Sequence, residues 1–413
     1  VTGFGFRGGR LACEGVPVAD IARAAETPVY VYSAGSVRAA YASLDRALAA
    51  WPHAIHFALK ANSALALLAL LRELGAGADA NSGGEIEAAL RAGFSPPQIV
   101  FTGVGKTRDE LERAVALGVG AINIESGGEA ERIDAIARGR GVRARVALRA
   151  NPDIAPNTHA HISTGSRLSK FGVPIECAAG LLREMARMPG LEPVGLHVHL
   201  GSQILDVAPL GRAAGLLAGL ARAARDWGLA LEHIDLGGGL GVPYEGGAGP
   251  SVDEYAAAIL PAVRETGLRL IVEPGRYLVA QAGALVGRVA DTKAYPGSPR
   301  FVILDAGMTE LIRPMLYEAY HRIVEVEPRG GAATPCEVVG PLCETGDTLG
   351  HARELGPVEV GDLVAVLDAG AYGFVMASNY NRRRLPAEVL VDGERWQIVR
   401  KRQSYEDLFR HEV

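Results

Sequence analysis

One unit repeats between about residue 29 and residue 285: an apolar run, a short polar stretch, an amphipathic helix pattern and a glycine. Four of the helix patterns open with Ser or Thr followed three residues later by Glu, at Ser82/Glu85, Thr107/Glu110, Ser126/Glu129 and Ser251/Glu254. In that pairing each side chain satisfies a backbone N–H left over at a helix start. The apolar runs in front of successive helices are 55–60, 77–80, 99–102, 121–124, 145–149, 194–200, 233–236 and 270–273. The first four begin at residues 55, 77, 99 and 121, close to the minimum spacing for a strand and its return helix. Runs that are continuously apolar belong to parallel strands covered on both faces. Eight such units in a row predict a closed (β/α)8 TIM-type barrel, with an open doubly wound sheet as the structural alternative.

A barrel places its chemistry at the C-terminal ends of the strands. Those ends read, in order, Lys60, Asp79, Thr102, Glu125, Arg149 with Asn151, His199, the glycines 237–239, and Glu273. Polar residues therefore crowd one rim. After residue 285 the pattern changes to short β-branched runs with Gly, Pro and Asp turns, at 285–289, 301–304, 323–326, 337–339, 363–367 and 388–391. This indicates a second, mainly antiparallel β domain. The first 30 residues also read as strand and turn and join it, so the expected division is a barrel over 31–285 and a β domain from 1–30 and 286–413.

Composition narrows the function. Forty-two basic and 47 acidic residues, spread along the chain, leave a net charge of −5 and no basic patch for nucleic acid. The apolar run 64–71 is too short to span a bilayer. Cys13, Cys177, Cys336 and Cys343 are scattered with no CxxC pair, and no signal-peptide pattern opens the chain, so a cytoplasmic protein is expected.

Lys60 ends the first apolar run, and a helix signal follows, with Ser63 as expected cap, 64–74 as helix and Gly75 as stop. An amine there, desolvated, is suited to attack a carbonyl; the bland alternative is a lysine reaching to solvent. Gly237-Gly238-Gly239 follows the seventh run, where backbone N–H groups can approach a phosphate, although a plain tight turn has the same residues. Glu273 and Arg276 are close enough for a simple ion pair, or for separate contacts to a ring nitrogen and an anion. His197 and His199, two apart, point to one face; with His159, His161 or Asp79 they could ligate zinc, or an imidazole could stack on a cofactor ring. In the β domain Arg313 and Tyr317 lie four apart, Cys343 stands beside Glu344 in a glycine-flanked loop, and Tyr372 sits on a tight turn.

The set as a whole resembles the fold type III pyridoxal-phosphate decarboxylases. The stretches that carry the resemblance are F-A-L-K-A-N (57–62), H-V-H-L-G-S (197–202), G-G-G (237–239), E-P-G-R (273–276), I-R-P-M-L-Y-E-A-Y-H (312–321), G-P-L-C-E-T-G-D (340–347) and G-A-Y-G-F (370–374). The resemblance implies an alanine-racemase-like barrel with a C-terminal β domain, and pyridoxal 5'-phosphate as cofactor with no metal. It assigns Lys60 to the Schiff base and Asp79 to the cofactor site, and lays His199 on the ring. Ser202, Gly238, Gly239, Gly275, Arg276 and Tyr372 take the phosphate, and Glu273 the pyridine nitrogen. Arg276, Arg313, Tyr317, Glu344 and Tyr372 bind substrate, and Cys343 donates a proton.

Cys343 and Glu344 are expected from the partner subunit of a homodimer. The implied reaction is decarboxylation of meso-2,6-diaminopimelate to L-lysine and CO2. Sibling activities on ornithine, arginine, carboxynorspermidine or a carrier-bound amino acid are the alternative, and a non-enzymatic cofactor-binding barrel is a more distant one. The stretch 163–172, with Arg167, is expected to set substrate length.

Overall fold

Eight parallel strands close on themselves in the computed structural model, which describes residues 3–154, 164–165 and 169–413. In order around the ring they are His53–Ala58, Gly77–Ala80, Ile99–Phe101, Ala121–Ile124, Ala144–Asn151, Leu191–His197, His233–Asp235 and Arg269–Val272. The ring is sealed where Leu270, Ile271 and Val272 pair with His53, Ala54 and Ile55. The doubly wound alternative is thereby excluded. Gly77–Ala80 and Ala121–Ile124 are buried at every position, as strands must be when side chains fill the barrel inside and helices cover it outside.

The four expected helix starts all hold. Thr107/Glu110 and Ser251/Glu254 are full reciprocal capping boxes. Ser82 and Ser126 also accept the N–H of Glu85 and Glu129, but those glutamates reach one residue further back, to the N–H of Asn81 (2.6 Å) and of Glu125 (2.8 Å). Each thus braces a strand end on the rim.

Three expectations are corrected. The first strand stops at Ala58, and Lys60 lies in a 3-10 turn, Leu59–Ala61. Ser63 is not the cap of the next helix, which runs Leu65–Glu73 behind Ala64; Asn62 Oδ1 instead takes the Ala64 N–H at 3.0 Å. The extra turn shifts the helix start and leaves the Asn62 side chain, not Ser63, facing the exposed backbone donor. The sixth strand ends at His197, so His199 stands beyond it on the rim.

The chain separates into two compact units, one of residues 41–242 and 248–277 that holds the barrel, the other of residues 1–40, 243–247 and 278–413. The second unit contains a nine-stranded sheet and a three-stranded one, Phe4–Arg7, Arg10–Cys13 and Val16–Pro17. Most pairings are antiparallel; Arg300–Leu304 with Thr334–Val339, and Val29–Ser33 with Ala387–Asp392, are parallel. Thr348–Leu355 and Arg395–Arg400 are strands that the sequence pattern did not announce, because polar and charged residues interrupt both and neither makes a continuous apolar run. Val18–Ala25, read above as strand and turn, is a helix. Its Val18, Ile21, Ala22 and Ala25 pack on Val29, Val31, Val286 and Val389 in one core, and burial of that helical face outweighs a weak local signal.

Candidate functional site

Within the barrel unit the rim residues fall into three groups. The first surrounds Lys60. Its Nζ donates to Asp79 Oδ2 at 3.1 Å and to Asn81 Oδ1 at 3.3 Å, and Asn81 Nδ2 donates in turn to Asp79 Oδ1 at 3.2 Å. Asp79 is fully buried; burial and the charge of Glu273 raise its pKa, against the pull of Lys60 and Thr102. Burial also pushes Glu85, which holds the Asn81 backbone, up to about 7.

The second group centres on Glu273 at the end of the eighth strand. Its Oε2 lies 3.2 Å from His197 Nε2, while its Oε1 is buried with no hydrogen-bond partner among the described residues. Burial alone would raise this carboxyl, but the charge and hydrogen bond of His197 together with Lys60 outweigh it and hold Glu273 well below the usual carboxylate range. Asp235 completes the group: its Oδ1 accepts the Gly237 N–H at 2.8 Å and its Oδ2 has no partner among the described residues. Burial and the neighbouring Glu273 charge drive the Asp235 pKa far up.

The third group is a backbone cup. A Cβ on Gly238 would sit 2.2 Å from the Glu273 carbonyl oxygen, and one on Gly275 would sit 2.9 Å from Ala61 Cβ. Only glycine lets these chain segments meet. Arg276 Nη2 donates to Ser202 Oγ at 2.8 Å, and the Gly238 N–H donates to His199 Nδ1 at 3.1 Å. That acceptor role places any ring proton on Nε2, and burial with the Lys60 and Arg149 charges holds the His199 pKa well below its ordinary value. His199 is therefore a neutral imidazole. The H-x-H pair thus separates, His197 turning to Glu273 and His199 to Gly238. The ligating atoms of His197, Asp235 and Glu273 lie within 4.8 Å of one another; among the described residues His197 and His199 do not form such a group with Asp79, and His159, His161 and Arg167 lie outside the described residues. Glu125 and Arg149 are spent on each other at 2.6 Å, and Asn151 bonds Phe171 O at 2.9 Å.

The β unit holds the remaining candidates. Arg313 is buried, its Nη1 at 2.8 Å from His321 Nε2 and its guanidinium carbon 4.6 Å from the centre of the Tyr244 ring. His321 Nδ1 lies 3.0 Å from Leu367 O, so it donates there and accepts from Arg313. Tyr317, half-buried, closes the same short helix Arg313–Tyr317. Cys343 and Glu344 are exposed in a loop that Asp347 shapes, accepting the N–H of Met308 at 2.6 Å and of Leu342 at 2.7 Å. Tyr380 OH donates to Glu344, and Asn381 Nδ2 to Cys343 Sγ at 3.5 Å. Tyr372 has a left-handed backbone, φ 57°, on its tight turn.

Sequence reasoning missed Asn81, Asp235, Tyr380 and Asn381. Asp235 had a signal, an acid two residues ahead of the strand-end glycines; Tyr380 and Asn381 lie in an irregular loop without periodicity.

A buried strand-end carboxylate, a neutral imidazole, a glycine–serine–arginine cup and a lysine on one barrel rim define a barrel enzyme built for a flat, phosphorylated, carbonyl-bearing cofactor. The family model described as "Pyridoxal-dependent decarboxylase, pyridoxal binding domain" matches residues 34–280. Diaminopimelate decarboxylase of Pseudomonas fluorescens is 46% identical over 407 residues, 98% of this chain and 97% of that protein. The crystal structure of diaminopimelate decarboxylase from Helicobacter pylori complexed with L-lysine superposes with a TM-score of 0.92 at 40% identity, covering 95% of this chain and 98% of that one. SrLDC in complex with PLP and cadaverine does so with a TM-score of 0.78 at 27% identity, covering 91% and 93%. The chain belongs to the diaminopimelate decarboxylase family of pyridoxal-dependent decarboxylases. Among the described residues no helix is long and apolar enough to cross a membrane.

Proposed function

We propose that this enzyme converts meso-2,6-diaminopimelate to L-lysine and CO2, with pyridoxal 5'-phosphate as cofactor. The observation that carries the cofactor reading is the bare Glu273 Oε1: a fully buried carboxylate oxygen without a partner fits a protonated ring nitrogen. When bound, pyridoxal 5'-phosphate supplies an aldehyde that condenses with amines and a ring that accepts the electron pair left as CO2 departs.

Lys60 Nζ would hold the aldehyde carbon, kept in place by Asp79 and Asn81. Glu273, ionised, would keep the ring nitrogen protonated by favouring its charged form. His199, neutral, would pack against the ring without adding a second positive charge. Ser202, Gly238, Gly239, Gly275, Arg276 and Tyr372 would take the phosphate. Arg276, Arg313, Tyr317, Glu344 and Tyr372 are proposed to bind substrate, a guanidinium suiting a carboxylate and Glu344 an ammonium. Cys343 is proposed to return a proton to Cα from its Sγ–H. Its exposure, with that of Glu344, supports a homodimer in which both act on the partner's substrate. The scattered free thiols support a cytoplasmic site of action.

The test is CO2 release from meso-, LL- and DD-diaminopimelate, L-lysine, L-ornithine and L-arginine, with and without added cofactor. Turnover of the meso isomer alone, dependent on cofactor, is expected. Turnover of a basic amino acid instead would keep the chemistry and overturn the substrate.

A further inference from the structure

Behind the proposed ring-nitrogen contact lie two residues that none of the assigned roles uses. Asp235 and His197 are fully buried, on the ends of neighbouring parallel strands paired at His197–Asp235. Together with Glu273 they place a ligating atom each within 4.8 Å of the others. Among the described residues Asp235 Oδ2, His197 Nδ1 and Glu273 Oε1 have no hydrogen-bond partner. Two ionised carboxylates at such range in a dry interior repel strongly, and a bare acceptor there is expensive. One proton on Asp235 Oδ2 relieves both problems: the acid becomes a donor to Glu273, and a single negative charge remains for the ligand. The same side chain also reaches the phosphate end, since its Oδ1 takes the Gly237 N–H at 2.8 Å at the start of the glycine cup, where Gly237 has a left-handed φ of 63°.

We infer that Asp235 is a positioning residue that works as a neutral acid, tying the orientation of Glu273 to the geometry of the glycine cup, with His197 holding Glu273 Oε2 and a lone pair of Oε1 left for the ring nitrogen. This rests on the cofactor reading above. No proton moves in the reaction through Asp235; it carries one hydrogen bond at each end. The burial that raises its pKa supports the neutral form.

The role makes an unusual demand: an amide should replace the acid. Asp235→Asn keeps an oxygen for Gly237 and offers N–H to Glu273, whereas Asp235→Ala loses both. The full-length chain, stripped of cofactor by dialysis, is titrated with pyridoxal 5'-phosphate, and the affinity and visible absorbance band are read along with the thermal midpoint of each cofactor-free form. The expected result is affinity within about threefold of the parent for Asp235→Asn and a loss of roughly tenfold or more for Asp235→Ala. His197→Ala should shift the absorbance band, and His197→Gln, which retains a donor, should restore it.

Equal losses in Asp235→Asn and Asp235→Ala would overturn the neutral-acid role, as would an Asp235→Ala variant that binds as tightly as the parent. Glu273→Gln separates the levels. If it weakens binding while the Asp235 variants do nothing, only this inference fails. If the parent itself does not bind the cofactor, the underlying reading fails with it.

Discussion

Two lysines follow barrel strands, and the structure treats them in opposite ways. Lys106, in the loop after the third strand, is sealed, its side chain 2% exposed; Nζ donates to Gly103 O at 2.6 Å, Asn123 O at 2.7 Å and Glu129 Oε1 at 3.1 Å. All three ammonium donors are used. Burial pulls its pKa down, against the attraction of Glu129 and Glu125. Lys60, after the first strand, keeps a third of its side chain exposed, and its contacts to Asp79 and Asn81 are longer, 3.1 and 3.3 Å. A cation held by two backbone carbonyls and a carboxylate in a dry pocket is part of the scaffold. One held by side chains at an open rim can give up its proton, for instance to the Asp79 carboxylate it touches, and turn as a neutral amine to a carbonyl carbon. Reactivity here follows from access and replaceable partners, not from burial.

That contrast can be broken most sharply at Lys60. Lys60→Ala should lower turnover by about four orders of magnitude or more, the amine being a covalent participant, and should remove the visible cofactor band while the thermal midpoint stays near that of the parent. Retained turnover would end the distinction. Lys106→Met should do the reverse. Removing one partner of a buried pair leaves Glu129 uncompensated and costs about 3–5 kcal/mol, read as a lower denaturant midpoint, while the folded fraction keeps the cofactor band. A Lys106→Met enzyme of unchanged stability that lost the band would mean that the two lysines had been assigned the wrong way round.

The third measurement asks whether other buried titratable groups in the barrel behave as scaffold. Burial lowers His56 and His233 from 6.5 to about 4. The folded form therefore binds fewer protons than the unfolded one between those values. Their contribution is fully present above pH 6.5 and is lost as pH falls through about 4, on the order of a few kcal/mol between them. Denaturant midpoints from pH 7.5 to 4.5 should fall, and His56→Asn should flatten the slope. The smallest effect is expected on the exposed helical surface of the barrel unit: Glu87, which pairs with Arg91 at i+4 and with Arg113, should give little or no change in the thermal midpoint when it becomes Gln.

Much of the barrel was legible because its signals are local. Strand runs such as 77–80 and 121–124 match the observed strands end to end, since a buried parallel strand must be apolar throughout. Ser82, Thr107, Ser126 and Ser251 cap as their spacing demands. The β unit was less legible. Edge strands of mixed composition such as Arg395–Arg400 leave little pattern, and the helix Val18–Ala25 is recognisable chiefly by the core it covers.

The same division runs through the site. Sequence by itself determined which residues are chemically unusual where they stand: Lys60 after a buried strand, Glu273 at the end of another, three glycines in a row, and a thiol beside a carboxylate. These are properties of residue type and spacing, readable one segment at a time. Only the tertiary structure decided the partners. That Asp79 and Asn81 hold Lys60, that His197 turns to Glu273 while His199 turns to Gly238, and that Asp235 takes the Gly237 N–H beside them depends on which strands are neighbours and in what register. Closing the ring sets both at once. Hydrogen bonds extend only about 3 Å, so a site's electrostatics belong to contacts between segments far apart in sequence.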